Sequence, residues 1–150
     1  MAGWQVGRLA GWQVSRLAEN REKMEIQKQR FKIQDSKAYQ LASEAGEIVW
    51  IEVKKWPWLE QKTIGSQWTD STDSISANLV EGFGRFHRRD RVKFYYNAKA
   101  STLESIEWTK KAQHRKLITE DVAKKLLSIL EELPYEINFQ IKCTMQKLKI

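Results

Sequence analysis

Cysteine is nearly absent: Cys143 is alone among 150 residues. That excludes an intrachain disulfide and any zinc site built on several thiolates, and it suits a reducing cytoplasm. Histidine is almost as scarce. His87 and His114 stand on different segments and no Glu-x-x-His pair accompanies them, so no metal and no other cofactor is expected. No run approaches the ~20 apolar residues of a membrane span. The apolar residues at the N-terminus are broken by Gln, Gly and Arg, unlike a signal peptide. No membrane partner is expected. With two prolines and seven glycines, long stretches are free of helix breakers. Strand signals are missing too, which leaves an all-α fold.

What is present is a chain of single-domain size, 41% hydrophobic and 30% charged. Its formal net charge is +7 and its pI is near 9.5, which favours an anionic partner. Nucleic acid is the first candidate and an anionic membrane surface the second. The plainer reading is a soluble, lysine-rich surface.

The chain opens on a repeat. Ala2-Gly-Trp-Gln-Val-Gly-Arg-Leu9 is followed directly by Ala10-Gly-Trp-Gln-Val-Ser-Arg-Leu17. Two copies are too few for a solenoid. Either Trp4 and Trp12 form a docking arm, or the repeat is translated upstream sequence and Met24 is the true or an alternative start. Residues 1–29 are therefore read as an N-terminal extension, and residues 30–150 as the folded domain.

Four apolar stripes at helical spacing follow. Ala38, Leu41, Ala42, Ala45, Ile48, Val49 and Val53 predict a helix over about 30–55, stopping at Trp56-Pro57. Ile64, Trp68, Ser71, Ile75 and Leu79 predict a second, capped by left-handed glycine at Gly82-Phe-Gly84. A third runs from Asp90 to about Gln113, burying some of Val92, Tyr95, Tyr96, Leu103, Ile106 and Trp108. A fourth starts at the favourable cap Thr119 and carries Leu126, Ile129, Leu130, Leu133, Ile137, Ile141, Met145 and Leu148. Pro134 falls inside this stripe and predicts a kink or short break. Burying four stripes against one another predicts an up-and-down four-helix bundle.

The most distinctive stretch is Ser74-Ile-Ser-Ala-Asn-Leu-Val-Glu-Gly-Phe-Gly-Arg85. It resembles the second-helix signature Ser-Ile-Pro-x-Asn-Ile-Ala-Glu-Gly-x-Gly-Arg of the bacterial four-helix bundle proteins known as 23S rRNA intervening-sequence proteins. Asn78, Glu81, Gly82, Gly84 and Arg85 match, and Ser76 stands where proline is usual. Lys37-Ala-Tyr-Gln-Leu-Ala42 and Phe94-Tyr-Tyr-Asn-Ala-Lys-Ala-Ser101 are similar to the first- and third-helix stretches. Ala100 replaces the usual glycine, and His87 stands where a capping serine is common. The resemblance covers roughly residues 30–148. It implies a four-helix bundle that assembles as a homopentamer, with no assigned biochemical role. A more distant related group, the accessory proteins of diversity-generating retroelements, forms basic rings that bind nucleic acid and a polymerase.

The best functional candidate is the cationic cluster Arg85, His87, Arg88, Arg89, Arg91 and Lys93, at the turn between helices two and three. Guanidinium forks and free amides there suit phosphate oxygens. Phe83, Phe86, Tyr95 and Tyr96 interleave with them as stacking platforms would. The alternative is a solvated charged turn with its aromatics facing the core. Lys110, Lys111, Arg115, Lys116, Lys124 and Lys125 flank the next turn and would extend such a surface.

Asn78 and Glu81 share a helix face. As a general acid or base, Glu81 lacks a convergent partner. The preferred reading is structural: the two hydrogen-bond the turn or an adjacent helix, with Arg85 the natural partner of a buried carboxylate. Trp50, Trp56, Trp58 and Trp68 gather near the first inter-helix turn, either as an oligomer interface or as an end-plug of the core. No catalysis is expected. The leading reading is a homo-oligomeric nucleic-acid-binding protein, and the rival is a protein-interaction scaffold.

Overall fold

The computed structural model describes residues 13–23 and 32–146. Every regular element among them is helical, so the chain is all-α. It divides into two units, Met1–Lys32 and Ile33–Ile150. In the first, residues 13–23 are helical. Trp4, Trp12 and Met24, on which the two readings of the N-terminus turn, lie outside the described residues, as does Leu148.

The second unit opens with a 3-10 turn at Ile33–Asp35. The Ser36 hydroxyl donates to the Ile33 carbonyl at 2.6 Å and accepts from the Tyr39 amide at 3.2 Å. This N-cap starts helix α1 at Lys37–Val53, not near residue 30, because it satisfies an amide the first turn leaves orphaned. The buried face of α1 is small: Ala38, Ala42, Ala45, Gly46, Val49 and Val53.

Helix α2 is longer than its apolar stripe predicted. Trp58–Glu60, a π-helical stretch Gln61–Gly65 and Ser66–Gly84 run on without interruption. The wide turn brings Gly65 against α1: a Cβ there would stand 2.8 Å from Val53 Cγ1. Beside it Trp56 and Trp68 stack at 5.4 Å, both buried.

Helix α3 spans Arg88–His114 and α4 spans Glu120–Gln146. Helix α1 packs on α2 and α4, and α3 packs on the same two. Polar ties cross these seams: Lys37 pairs with Glu132, Lys125 with Glu44 at 3.3 Å, and Lys99 donates to Asn138 at 3.2 Å. Thr119 Oγ1 accepts from the Val122 amide at 3.3 Å, the expected cap of α4. At Pro134, where the sequence predicts a kink or short break, the helix is not broken. The proline deprives the Leu130 carbonyl of its donor, but Leu130, Leu133, Ile137 and Ile141 stay buried along one face and carry the helix through.

Of the six residues from which the third helix was expected to bury some, Tyr95 is fully buried. Tyr96 and Leu103 are exposed, and Val92, Ile106 and Trp108 are half-buried. Apart from Tyr95 the buried face is Ala98, Thr102, Ser105, Thr109 and Ala112. Its hydroxyls meet α2 in a polar seam. Trp68 Nε1 donates to Thr109 Oγ1 at 3.0 Å, and Thr72 Oγ1 lies 2.7 Å from Ser105 Oγ. Thr72, Thr102 and Thr109 also hydrogen-bond the carbonyl four residues back. Fully satisfied, these groups are tolerated inside and let the two helices approach closely.

The turn from α3 to α4 is closed by a left-handed residue, Lys116, at φ 58. Its amide bonds the Gln113 carbonyl at 3.0 Å, and the Leu117 amide bonds Ala112 at 2.9 Å, a Schellman closure. A side chain at that φ costs about 1–2 kcal/mol. Lys116→Gly is therefore expected to stabilise the protein by about 1 kcal/mol, read as a higher urea midpoint with an unchanged slope.

Where α1 meets α2, a Cβ on Gly46 would stand 2.8 Å from Asp73 Oδ1. Burial, then Glu47 and Asp70, raise the Asp73 pKa above its ordinary 3.8. The folded state thus holds this proton more tightly, so the charge is destabilising at neutral pH. The penalty fades as pH falls through the raised pKa and is gone below the unfolded value. Asp73→Asn should raise the unfolding free energy at neutral pH by roughly a few tenths of a kcal/mol after solvent screening, read as a higher melting temperature. The gain should shrink towards acid.

Candidate nucleic-acid interface

The corner between α2 and α3 is built by a close approach. Gly82 and Gly84 both lie within α2, and no described glycine has a positive φ. The predicted left-handed cap is therefore absent. The chain leaves α2 through extended Arg85, at φ −74 and ψ 135, whose amide bonds the Gly82 carbonyl at 3.1 Å. What requires glycine at 82 is α3: a Cβ there would lie 2.9 Å from the Tyr95 ring and 3.0 Å from Phe94 Cβ. A Cβ on Gly84 would meet nothing within 4 Å. His87 is the N-cap of α3 but makes no side-chain capping bond, as its replacement of serine led one to expect.

The six candidate cations fall into two groups. Arg85 pairs with Glu81 and lies over the Phe94 ring at 4.5 Å. Arg91 Nη2 donates to the Arg85 carbonyl at 2.9 Å, its guanidinium lies 5.8 Å from the Phe83 ring, and its buried Nε has no hydrogen-bond partner. These two hold the turn in shape. Arg88 is half-buried, while His87, Arg89 and Lys93 are exposed. Arg88, Arg89 and Lys93 form no ion pair among the described residues. An open depression of about 560 Å³ is lined by Phe86, His87, Arg88, Arg89 and Asp90.

The aromatics divide as sharply. Tyr95 is buried, and burial raises its hydroxyl pKa against the opposing charge of Arg91. Phe83 is half-buried. Phe86 is 90% exposed, with the His87 ring edge-on at 5.1 Å. The sequence names it with Phe83, Tyr95 and Tyr96 as a stacking candidate; its place between two helices, outside both apolar stripes, is what sets it apart from them.

Asn78 and Glu81 take neither a buried nor a bridging role. Asn78 Nδ2 donates to the Ser74 carbonyl of its own helix at 2.7 Å. Glu81 is exposed and bound to Arg85 one turn on, so it fixes the turn and reaches no neighbouring helix. The further cations do not extend this corner. The 27 residues of α3 span about 40 Å, which puts Arg115 and Lys116 at its far end. There Lys111 and Lys124 pair with Glu107 and Glu120, and Lys125 with Glu44. Of the tryptophans, Trp56 and Trp68 are buried, and Trp50 and Trp58 are 53% and 71% exposed.

Among the described residues no three His, Cys, Asp or Glu side chains gather as metal ligands, and no helix is long and apolar enough to cross a membrane. Chemically, the corner offers unpaired cations around an exposed ring.

No curated protein matches the chain. Among solved structures, a protein of unknown function from the S23 ribosomal protein family of Bacteroides thetaiotaomicron is similar in fold. Its TM-score is 0.61 at 20% identity, over 74% of this chain and 99% of that one. The family model for 23S rRNA-intervening sequence proteins matches residues 34–138, which include α1, α2, α3 and the cationic corner between the last two. The chain belongs to the 23S rRNA-intervening sequence protein family.

Proposed function

We propose that this protein is a non-catalytic nucleic-acid-binding protein. Its four long helices act as an up-and-down four-helix bundle, bent at Pro134, that assembles with copies of itself in the cytoplasm. A pentamer is the assembly that family resemblance suggests. The observation that carries the reading is the corner itself: Arg88, Arg89 and Lys93 stand at the start of α3, beside a turn that Arg85 and Arg91 brace, and no carboxylate among the described residues pairs with them. A net charge of +7 supplies the long-range attraction. Affinity comes from phosphate neutralisation and counterion release, repeated at each subunit, with RNA and DNA both accepted and little sequence preference.

The test is a titration of the full chain with labelled single-stranded RNA at rising salt. Three phosphates neutralised per site, one for each unpaired cation, give a log–log slope of about −2. Absence of binding, or binding indifferent to salt, refutes the reading. The second reading is a protein-interaction scaffold, favoured by exposed Trp50, Ile51, Trp58 and Leu59 around the first inter-helix turn. Protein that purifies at low salt without the 260 nm absorbance of nucleic acid supports the scaffold.

A further inference from the structure

We propose that Phe86 is a stacking platform for an unpaired base, so that the strand this corner takes is single-stranded; the proposal rests on reading the corner as a nucleic-acid interface. Of the other rings near the turn, Tyr96 is 54% exposed but does not line the depression, and the rest are already engaged. Phe94 lies under Arg85, Phe83 near Arg91, and Tyr95 is in the core against Gly82. Phe86 alone of them is left 90% exposed, although burying a phenylalanine side chain is worth about 1.5–3 kcal/mol. It is also held in place. The carbonyl of the preceding residue, Arg85, is anchored by Arg91 Nη2 at 2.9 Å, and His87 abuts the ring edge-on at 5.1 Å.

The ring's surroundings select the partner. The depression around it is otherwise lined by His87, Arg88, Arg89 and Asp90, with no second apolar side chain. A protein hot spot needs apolar neighbours that close round the aromatic anchor and exclude water; this ring has cations instead. Cations beside an open aromatic face match a nucleotide, whose base stacks while its phosphate is neutralised. In a duplex each base face is already covered by its neighbours, and uncovering one costs a few kcal/mol. A single strand offers its faces freely.

Fluorescence anisotropy decides this with a labelled single-stranded RNA, the same sequence as duplex, and the full-length chain as wild type, Phe86→Ala, Phe86→Tyr and the Arg88→Glu/Arg89→Glu double variant. Phe86→Ala should weaken single-strand binding about tenfold, leave duplex binding unchanged, and be rescued by Phe86→Tyr. The ring is at the surface, so both Phe86 variants should fold as wild type does, and the circular-dichroism spectrum of the double variant checks its fold. If Phe86→Ala binds the single strand as wild type does while the double variant loses it, stacking is overturned and the interface stands. If the wild type binds neither RNA, interface and stacking both fall. If Phe86→Ala leaves RNA affinity intact but changes the mass of the assembly by light scattering, the ring is a subunit contact and the proposal is wrong.

Discussion

Reversing the charges of Arg88 and Arg89 together is expected to lower the affinity for single-stranded RNA at least about a hundredfold. A hydrogen bond to a charged group is worth about 1.5–3 kcal/mol, so two lost phosphate contacts alone reach that size. Repulsion between the new carboxylates and the backbone adds to it. The fold should not suffer. Neither arginine makes an ion pair among the described residues, and both stand in the first turn of α3, where glutamate is favoured by the helix dipole. A helical circular-dichroism spectrum and melting temperature like those of wild type, beside the lost binding, are the expected pair of results. Retained affinity in the folded double variant would remove these residues from the interface. The same reversal at Arg85 or Arg91 is a poorer probe, because it breaks the Glu81 pair or the bond to the Arg85 carbonyl.

Gly82→Ala is expected to destabilise the protein by up to about 2 kcal/mol net. Overpacking a buried contact costs about 1–3 kcal/mol. The helix-propensity gain of alanine over glycine, about 1 kcal/mol, offsets part of that. Overpacking wins because the new methyl meets Tyr95 at 2.9 and 3.0 Å and Phe94 Cβ at 3.0 Å, and Tyr95 is buried with little room to turn aside. The consequence reaches the interface, since the ring under Arg85 is Phe94. Gly84→Ala is the control: with nothing within 4 Å of the new methyl, it should be neutral or slightly stabilising in the same urea titration. Equal stability of wild type and Gly82→Ala would show that α2 and α3 are not held apart by the width of a hydrogen atom at that point.

These residues also show how far a sequence reaches. Three- and four-residue spacing pointed to α1, α2, α3 and α4 among the described residues, and local chemistry placed one boundary well: a threonine before Glu120 and Asp121 caps α4. The same reasoning missed Ser36, which stood inside an apparently continuous pattern and ended it by hydrogen-bonding its own neighbours. It also missed the π turn at Gln61–Gly65, which has no periodic signature of its own. Hydrophobicity misjudged α3, because Thr102, Ser105 and Thr109 are buried through bonds to groups on α2 and on their own helix. Whether a hydroxyl is satisfied depends on what lies opposite it.

Composition, charge and local spacing were enough to establish a helical, basic chain with its cations concentrated after Asn78–Arg85, because each of those properties belongs to neighbouring residues. Which arginines brace the turn, which stay unpaired, and which aromatics remain in water were settled by contacts between α2 and α3. Arg85 and Arg88 are alike in the string; only the ring of Phe94 and the carboxylate of Glu81, brought up by the fold, make one a strut and leave the other free.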